Sequence, residues 1–340
     1  MGGQLRPPRG ATSFSHITGL IASLAAHDPA TSPAYAQAAD WPNHPLTLVV
    51  PFSAGGSSDI IGRILADGLS KQLGQPVIVE NVSGAGGTTG TNRVAKAAPD
   101  GYQLVIGNVG TFAQSQWLYR KPLYNAAKDF APVALISDEA LVLVARNDLP
   151  ANNLQQFIAF TKANQSKLRY SSSGVGGSNH LACLLVNAAI GIDVTHVPYR
   201  NVTQAVQDLI AGRVDYQCVT LPAALPQILG KNVKPIAILT KSRSPAIPNL
   251  PSAHEQGLTD FDVPTWYAIF LPIGTPRAIV EKLNRATVLA LETPTVQQRL
   301  KQVGGDLVEG ERRSPEHLAG FLVREIKKWE APIKASGVEF

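Results

Sequence analysis

Apolar residues recur along this chain in two alternating rhythms. Leu46 to Val50 is a continuous run of strand length, after which Ile60, Ile61, Ile64, Leu65 and Leu69 fall at helical spacing. The alternation repeats. Pro76 to Asn81 reads as a strand, a helix passes through Val94 and Ala97, Pro99-Asp100-Gly101 marks a turn, and Tyr102 to Gly107 reads as a strand again. Pro132 to Val144, interrupted by Ser137-Asp138-Glu139, reads as paired strands leaving a first unit. A second series follows: helix Leu154 to Lys162, strand Leu168 to Ser171, helix Leu181 to Ile190, strand Val194 to Pro198, helix Val202 to Ala211 and strand Val214 to Val219. Thr265 to Leu271 is the expected return crossing, and helices Ala278 to Leu291, Thr295 to Gln302 and Pro315 to Lys334 complete the chain. On the last of these Leu318, Phe321, Leu322, Ile326 and Trp329 share one face, the mark of core packing. The pattern predicts an α/β fold with a mainly parallel sheet in each of two units. Ligands of such sheets sit where loops leave the carboxyl ends of the strands.

Two of those loops share one chemistry. The first is Pro51-Phe52-Ser53-Ala54-Gly55-Gly56-Ser57-Ser58-Asp59, between the strand at Val50 and the helix that follows. Gly55 and Gly56 let backbone N–H groups turn toward a ligand, Ser57 and Ser58 can cap the helix and donate hydroxyls, and the helix dipole favours negative charge there. The second is Ser171-Ser172-Ser173-Gly174-Val175-Gly176-Gly177-Ser178-Asn179-His180 ahead of another apolar helix. Any one strand-to-helix turn favours glycine and serine; two alike imply an anion held between two domains, as in a clamshell that closes by a hinge.

Charge narrows the partners. The chain has 340 residues, is 44% hydrophobic and 16% charged, and carries a net charge of +5. That suffices for two α/β domains and excludes a disordered chain. The basic residues are scattered, without runs interleaved with aromatics, so no nucleic-acid partner is expected. No G-x-S-x-G, H-E-x-x-H or P-loop lysine occurs. The loop Gly84-Ala85-Gly86-Gly87-Thr88-Thr89-Gly90 supports a rival class, an α/β enzyme binding a nucleotide. Thr89 breaks the G-x-G-x-x-G pattern, and no strand-end acid follows about 20 residues on. His44, His180, His196 and His254 lack metal-ligand spacing, so no metal and no cofactor are expected, and His180 reads as a pocket hydrogen-bonder or a structural residue.

The first 36 residues read as an export signal: Arg6 and Arg9 form a basic start, Ile17 to Ala26 is apolar, and Ala34-Tyr35-Ala36 or Ala36-Gln37-Ala38 offers a cleavage site near Ala36 or Ala38. Its removal takes away two positive charges and one negative, leaving +4. No later apolar run is long enough to span a bilayer. Export implies an oxidising compartment, in which Cys183 and Cys218, the two cysteines of the chain, form either a disulfide or a pair of buried thiols.

The chain from Trp41 onward resembles the Bug-type solute-binding proteins of tripartite tricarboxylate transporters. The likeness rests on ordered blocks: Val50-Pro51-Phe52 with Gly55-Gly56 and Asp59; Asn81 with Gly84-Ala85-Gly86-Gly87-Thr88; Ala95 to Asp100-Gly101-Tyr102; Gly177 with His180-Leu181-Ala182; His196-Val197-Pro198-Tyr199; Thr220-Leu221-Pro222-Ala223-Ala224-Leu225-Pro226; and Trp266-Tyr267 with Pro272 and Gly274-Thr275-Pro276. The resemblance implies a periplasmic, monomeric Venus-flytrap protein that captures a small carboxylate and delivers it to membrane permease subunits. A ligand sensor serving a signalling partner is the other use of the same fold. It implies lobes at 41–140 plus 266–340 and at 141–265, with a two-strand hinge near Val144 and Trp266. It places Phe52 to Asp59 and Ser172 to His180 on the ligand, Asn108 and Thr111 on the wall, and Tyr199 and Thr220 near the floor. Asp59 would receive a ligand amino group or serve its own helix dipole; Arg200 would meet a second carboxylate or lie on the surface. Two departures fall beside this pocket: Arg200-Asn201-Val202 replaces the usual Lys-Gly-Gly, and Cys218-Val219 replaces Phe-Asp.

Overall fold

The protein is described here by a computed structural model covering residue 2, residues 40–200 and residues 202–336. The leader expected over residues 1–36, with its cleavage near Ala36 or Ala38, lies outside the described residues. In chain order the strands are β1 (Leu46–Val50), β2 (Val77–Asn81), β3 (Gln103–Asn108), β4 (Phe130–Glu139), β5 (Leu141–Ala145), β6 (Arg169–Ser172), β7 (Thr195–Pro198), β8 (Tyr216–Thr220), β9 (Lys234–Ile238), β10 (Thr265–Pro272) and β11 (Asp306–Leu307). The helices are α1 (Ser57–Leu73), α2 (Thr88–Ala95), α3 (Ser115–Leu118), α4 (Leu154–Asn164), α5 (Ser178–Ile190), α6 (Val202–Ile210), α7 (Leu221–Leu229), α8 (Arg277–Glu292), α9 (Pro294–Gln302) and α10 (Pro315–Ser336).

The strands form two sheets, β11-β4-β10-β3-β1-β2 and β7-β6-β8-β5-β9, one per lobe. Both are mixed, which corrects the expectation of mainly parallel sheets. Only β1 with β2 and β3, and β6 with β7 and β8, pair in parallel. Each long strand that connects the lobes runs against its neighbours. The run Pro132 to Val144 is not a hairpin either. Ser137, Asp138 and Glu139 continue β4 by pairing with Tyr267, Trp266 and Thr265, so the break falls at Ala140, and β5 starts at once in the other sheet. The return path lies against this crossing, with Leu239 N–H donating to Leu141 O and Val263 N–H to Leu239 O, both at 2.8 Å. The outward crossing thus sits at Ala140, four residues before Val144, and the return crossing falls between Val263, which still bonds to Leu239 of the second lobe, and Thr265, where β10 begins one residue before Trp266.

Helix α1 buries Ile61, Ile64, Leu65 and Leu69 against the first sheet and stops at Gly74, whose φ of +68° makes a left-handed cap. On α10 Leu318, Leu322 and Trp329 are buried, with Phe321 and Ile326 packed on the same core. Trp266 Nε1–H donates to Glu325 Oε2 at 2.9 Å, fastening that helix beneath β10.

Cys183 of α5 and Cys218 of β8 are joined as a disulfide, with Cα atoms 5.3 Å apart. It ties the helix behind one loop of the second lobe to the strand that ends at Thr220. A Cys183→Ala/Cys218→Ala variant is expected to lose roughly 3 to 4 kcal/mol of unfolding free energy on the chain-entropy account of a closed loop. Urea titration of both proteins without reductant checks this. Equal midpoints, or alkylation of both cysteines under denaturing conditions without reductant, would show that no bridge stabilises the fold.

Candidate functional site

Helices α1 and α5 begin in the same way. Gly56 and Gly177 occupy the N-cap positions in extended backbone, neither with a side-chain cap, and Ser57-Ser58 and Ser178-Asn179 supply the first helical residues. The serines therefore do not cap their helices. Helix geometry leaves first-turn N–H groups without internal acceptors, so two positive helix ends remain to meet a ligand. They border one cavity of about 780 Å³ between the lobes.

Loops at the carboxyl ends of β1, β2, β3, β6, β7 and β8 all reach this cavity. From the first expected cradle come Phe52, Ser53, Gly56, Ser57 and Ser58; from the second, Ser173, Gly174, Ser178 and Asn179. Asn108, Tyr199, Arg200 and Thr220 also line it. Gly55, Asp59, Thr111, Ser172, Gly177 and His180 do not. Gly55 is exposed and faces Thr203 of the other lobe; the other five are buried behind the cavity surface.

Asp59 shows this most clearly. Its carboxylate accepts hydrogen bonds from Gly55 N–H at 2.9 Å, Arg63 Nε at 3.0 Å and Asn81 Nδ2 at 3.0 Å. Burial pushes the carboxyl up, but these three donors outweigh it and hold it below the usual range. Asp59 is thus held by its loop, its helix and β2, and does not line the cavity; of its two expected roles, an acid in the first turn of its own helix fits this placement and the receiver of a ligand amino group does not. Thr111 acts on Asn108 in a similar way. Asn108 Oδ1 accepts Thr111 N–H at 3.1 Å, and because that N–H can only donate, the Asn108 amide nitrogen is left to face the cavity.

In the second lobe Ser172 Oγ lies 2.7 Å from His196 Nε2 and receives Gly174 N–H at 3.1 Å, while His180 Nδ1 accepts Gly176 N–H at 3.3 Å. The two imidazoles stack at 4.1 Å between ring centroids, with Tyr170 beside His196 at 4.8 Å. Burial lowers the His180 pKa to about 3, with His196 adding to the shift, and burial alone lowers His196 to about 4. Both rings are neutral struts. Among the described residues no group of three or more His, Cys, Asp or Glu side chains is placed to hold a metal ion.

The residues that sequence reasoning missed close the floor and roof. Tyr267 lies opposite Asn108 in the β10–β3 register, with its hydroxyl near Ser58, Thr220 and Asn108. Burial, with Glu139 nearby, pushes its pKa up, so it stays a neutral donor. Ser83 to Gly87, which overlaps the start of the Gly84–Gly90 loop of the rival nucleotide reading, is the roof, with Tyr119 Oη donating to Ala85 O at 3.0 Å. Gly86 has φ +62°, and a Cβ there would stand 2.7 Å from Val175 O, so only glycine lets the roof reach the second cradle. Direct bonds also link the lobes: Ser53 Oγ donates to Arg200 O at 3.0 Å, and the Ser57 and Thr220 hydroxyls bond to each other.

Two α/β lobes joined by two crossings, with helix N-termini facing a shared cleft, define a periplasmic-binding-protein fold. Residues 61–338 match the TctC family, the tripartite tricarboxylate transporter family receptor, and the chain belongs to that family. It is 37% identical over 302 residues to a UPF0065 protein encoded in the tcbD-tcbE intergenic region of Pseudomonas sp. strain P51, covering 88% of this chain and 89% of that one. Its structure is similar to periplasmic binding protein BugD, with a TM-score of 0.85 and 34% identity over 88% of this chain and 99% of that one. It is also similar to MatC of Rhodopseudomonas palustris with bound malate, with a TM-score of 0.83 and 38% identity over 86% of this chain and 100% of that one.

The buried histidines make stability depend on pH. A ring held neutral by the fold takes up its proton only in the unfolded chain once the pH drops below about 6.5, so its stabilising share is present at pH 7 and is lost as the pH falls toward 4. Between pH 7 and pH 5 a His196→Gln variant is expected to lose roughly 1 to 2 kcal/mol less than the parent, read by urea unfolding at both values. Parallel losses in the two proteins would contradict the buried, neutral imidazole.

Proposed function

We propose that this protein is a periplasmic, non-enzymatic receptor that captures a small organic carboxylate in the interlobe cleft and hands it to the membrane permease subunits of a tripartite tricarboxylate-type transporter. It acts as a monomer, without a metal or cofactor. The observation that carries this reading is the pair of helix N-termini, α1 and α5, meeting at one cavity that no acidic side chain lines among the described residues. Each helix end favours an anion by roughly 0.3 to 2 kcal/mol, and the neutral donors Ser57, Ser58, Asn108, Thr220 and Tyr267 add hydrogen bonds to it. Malate in MatC supports an acid of this size. Lobes at 41–140 plus 266–340 and at 141–265 would swing about the crossings at Ala140 and at 264–265. The nucleotide reading gains no support, because the Gly84–Gly87 loop packs against the opposite lobe at Val175.

Thermal unfolding in the presence of mono-, di- and tricarboxylates, aromatic acids and nucleotides tests the proposal. Stabilisation by at least one acid is expected, and a response to nucleotides alone would reject it. A Gly56→Val variant tests closure, since a Cβ at Gly56 would stand 3.1 Å from Val202 Cγ1 across the cleft. It is expected to stay folded by circular dichroism and to bind the stabilising acid at least ~10-fold more weakly in calorimetry, a loss of about 1.4 kcal/mol. Undiminished affinity would count against lobe closure on the ligand.

A further inference from the structure

We propose that Arg200 makes the cleft selective for acids with a second, distal negative charge, and that the same cleft rejects acids carrying an ammonium group. This deepens the carboxylate-receptor reading and rests on it.

Three observations converge. Arg200 is the one charged residue lining the cavity among the described residues. Its carbonyl accepts the Ser53 hydroxyl at 3.0 Å, which places it where the two lobes meet, and among the described residues no acidic side chain pairs with its guanidinium. An exposed guanidinium, unpaired among the described residues, at the edge of a cleft whose floor would receive one carboxylate is suited to a bidentate hold on another.

Nearby carboxylates, in contrast, are spent. Asp59 is enclosed by Gly55, Asn81 and Arg63. Asp208 accepts from Tyr199 Oη at 2.7 Å and from Arg213 at 2.7 Å. Glu139 is buried beside Tyr267 and does not line the cavity, and burial raises its pKa well above the ordinary value. A ligand ammonium would leave water with no counter-charge to meet it. The lining also includes the apolar side chains of Phe52, Val202, Val219 and Ala223, which suit a hydrocarbon spacer.

The test is calorimetric titration with three matched series: succinate, glutarate and adipate; their monoacid counterparts butyrate, pentanoate and hexanoate; and their amino counterparts aspartate, glutamate and 2-aminoadipate. For the best-bound diacid, both counterparts are expected to bind at least ~10-fold more weakly, the worth of one charge-assisted contact. In an Arg200→Gln variant, which keeps the backbone contact to Ser53, the gap between diacid and monoacid is expected to narrow to about threefold or less, with unchanged thermal unfolding. A gap that persists in Arg200→Gln, or an amino acid that binds as tightly as its diacid, overturns the inference and leaves the carboxylate reading standing. Binding of other acids but none of these nine does the same. If no acid of this or the broader panel binds, the receptor reading itself falls.

Discussion

Two helix N-termini brought to one small cavity set the constraints on this molecule. First-turn amides carry partial positive charge that their own helix cannot satisfy, and bringing two sets together is unfavourable unless water or an anion lies between them. The local sequence follows from that requirement. A glycine at each N-cap keeps side chains off the amides, and Ser57, Ser58, Ser178 and Asn179 add short polar groups without bulk. The roof reaches across through Gly86, where a Cβ would collide with Val175 O.

Holding those helix ends in register is the work of the layer behind them. Asp59, Thr111, Ser172 and His180 never reach the cavity, yet each fixes a loop that does, through hydrogen bonds to Gly55, Asn108, Gly174 and Gly176 respectively. Buried polar groups with their partners in place are rigid, because breaking one leaves a desolvated donor or acceptor. On the proposed receptor reading the hinge is short: only Ala140 separates β4 from β5, and the chain returns between Val263 and Thr265, so backbone rotation at these two places would move one sheet against the other.

Much of this was legible in the sequence, for physical reasons. Strand and helix periodicity told the elements apart wherever one face is buried, as at Leu46–Val50 and on α10. Glycine and serine ahead of a helix marked both cradles. Other features depended on contacts between distant residues. The break at Ala140 was hidden because Ser137, Asp138 and Glu139 look like a turn until β10 pairs with them. Helix α7, with Pro222 in its first turn and Pro226 inside it, does not read as a helix locally. Asp59 was read as facing a ligand because its partner Asn81 lies on another strand, and Tyr267 was missed at the floor because only the β10–β3 register sets it opposite Asn108.

The account stands or falls on whether the cleft holds negative charge rather than shape alone. The most direct measurement is to titrate the protein at pH 7 with its tightest-binding acid and with the primary amide that replaces the carboxylate held at the floor, which has nearly the same shape and no charge. Opposed helix ends require the amide to bind at least ~100-fold more weakly, about 2.7 kcal/mol. Equal affinity for the two would contradict it.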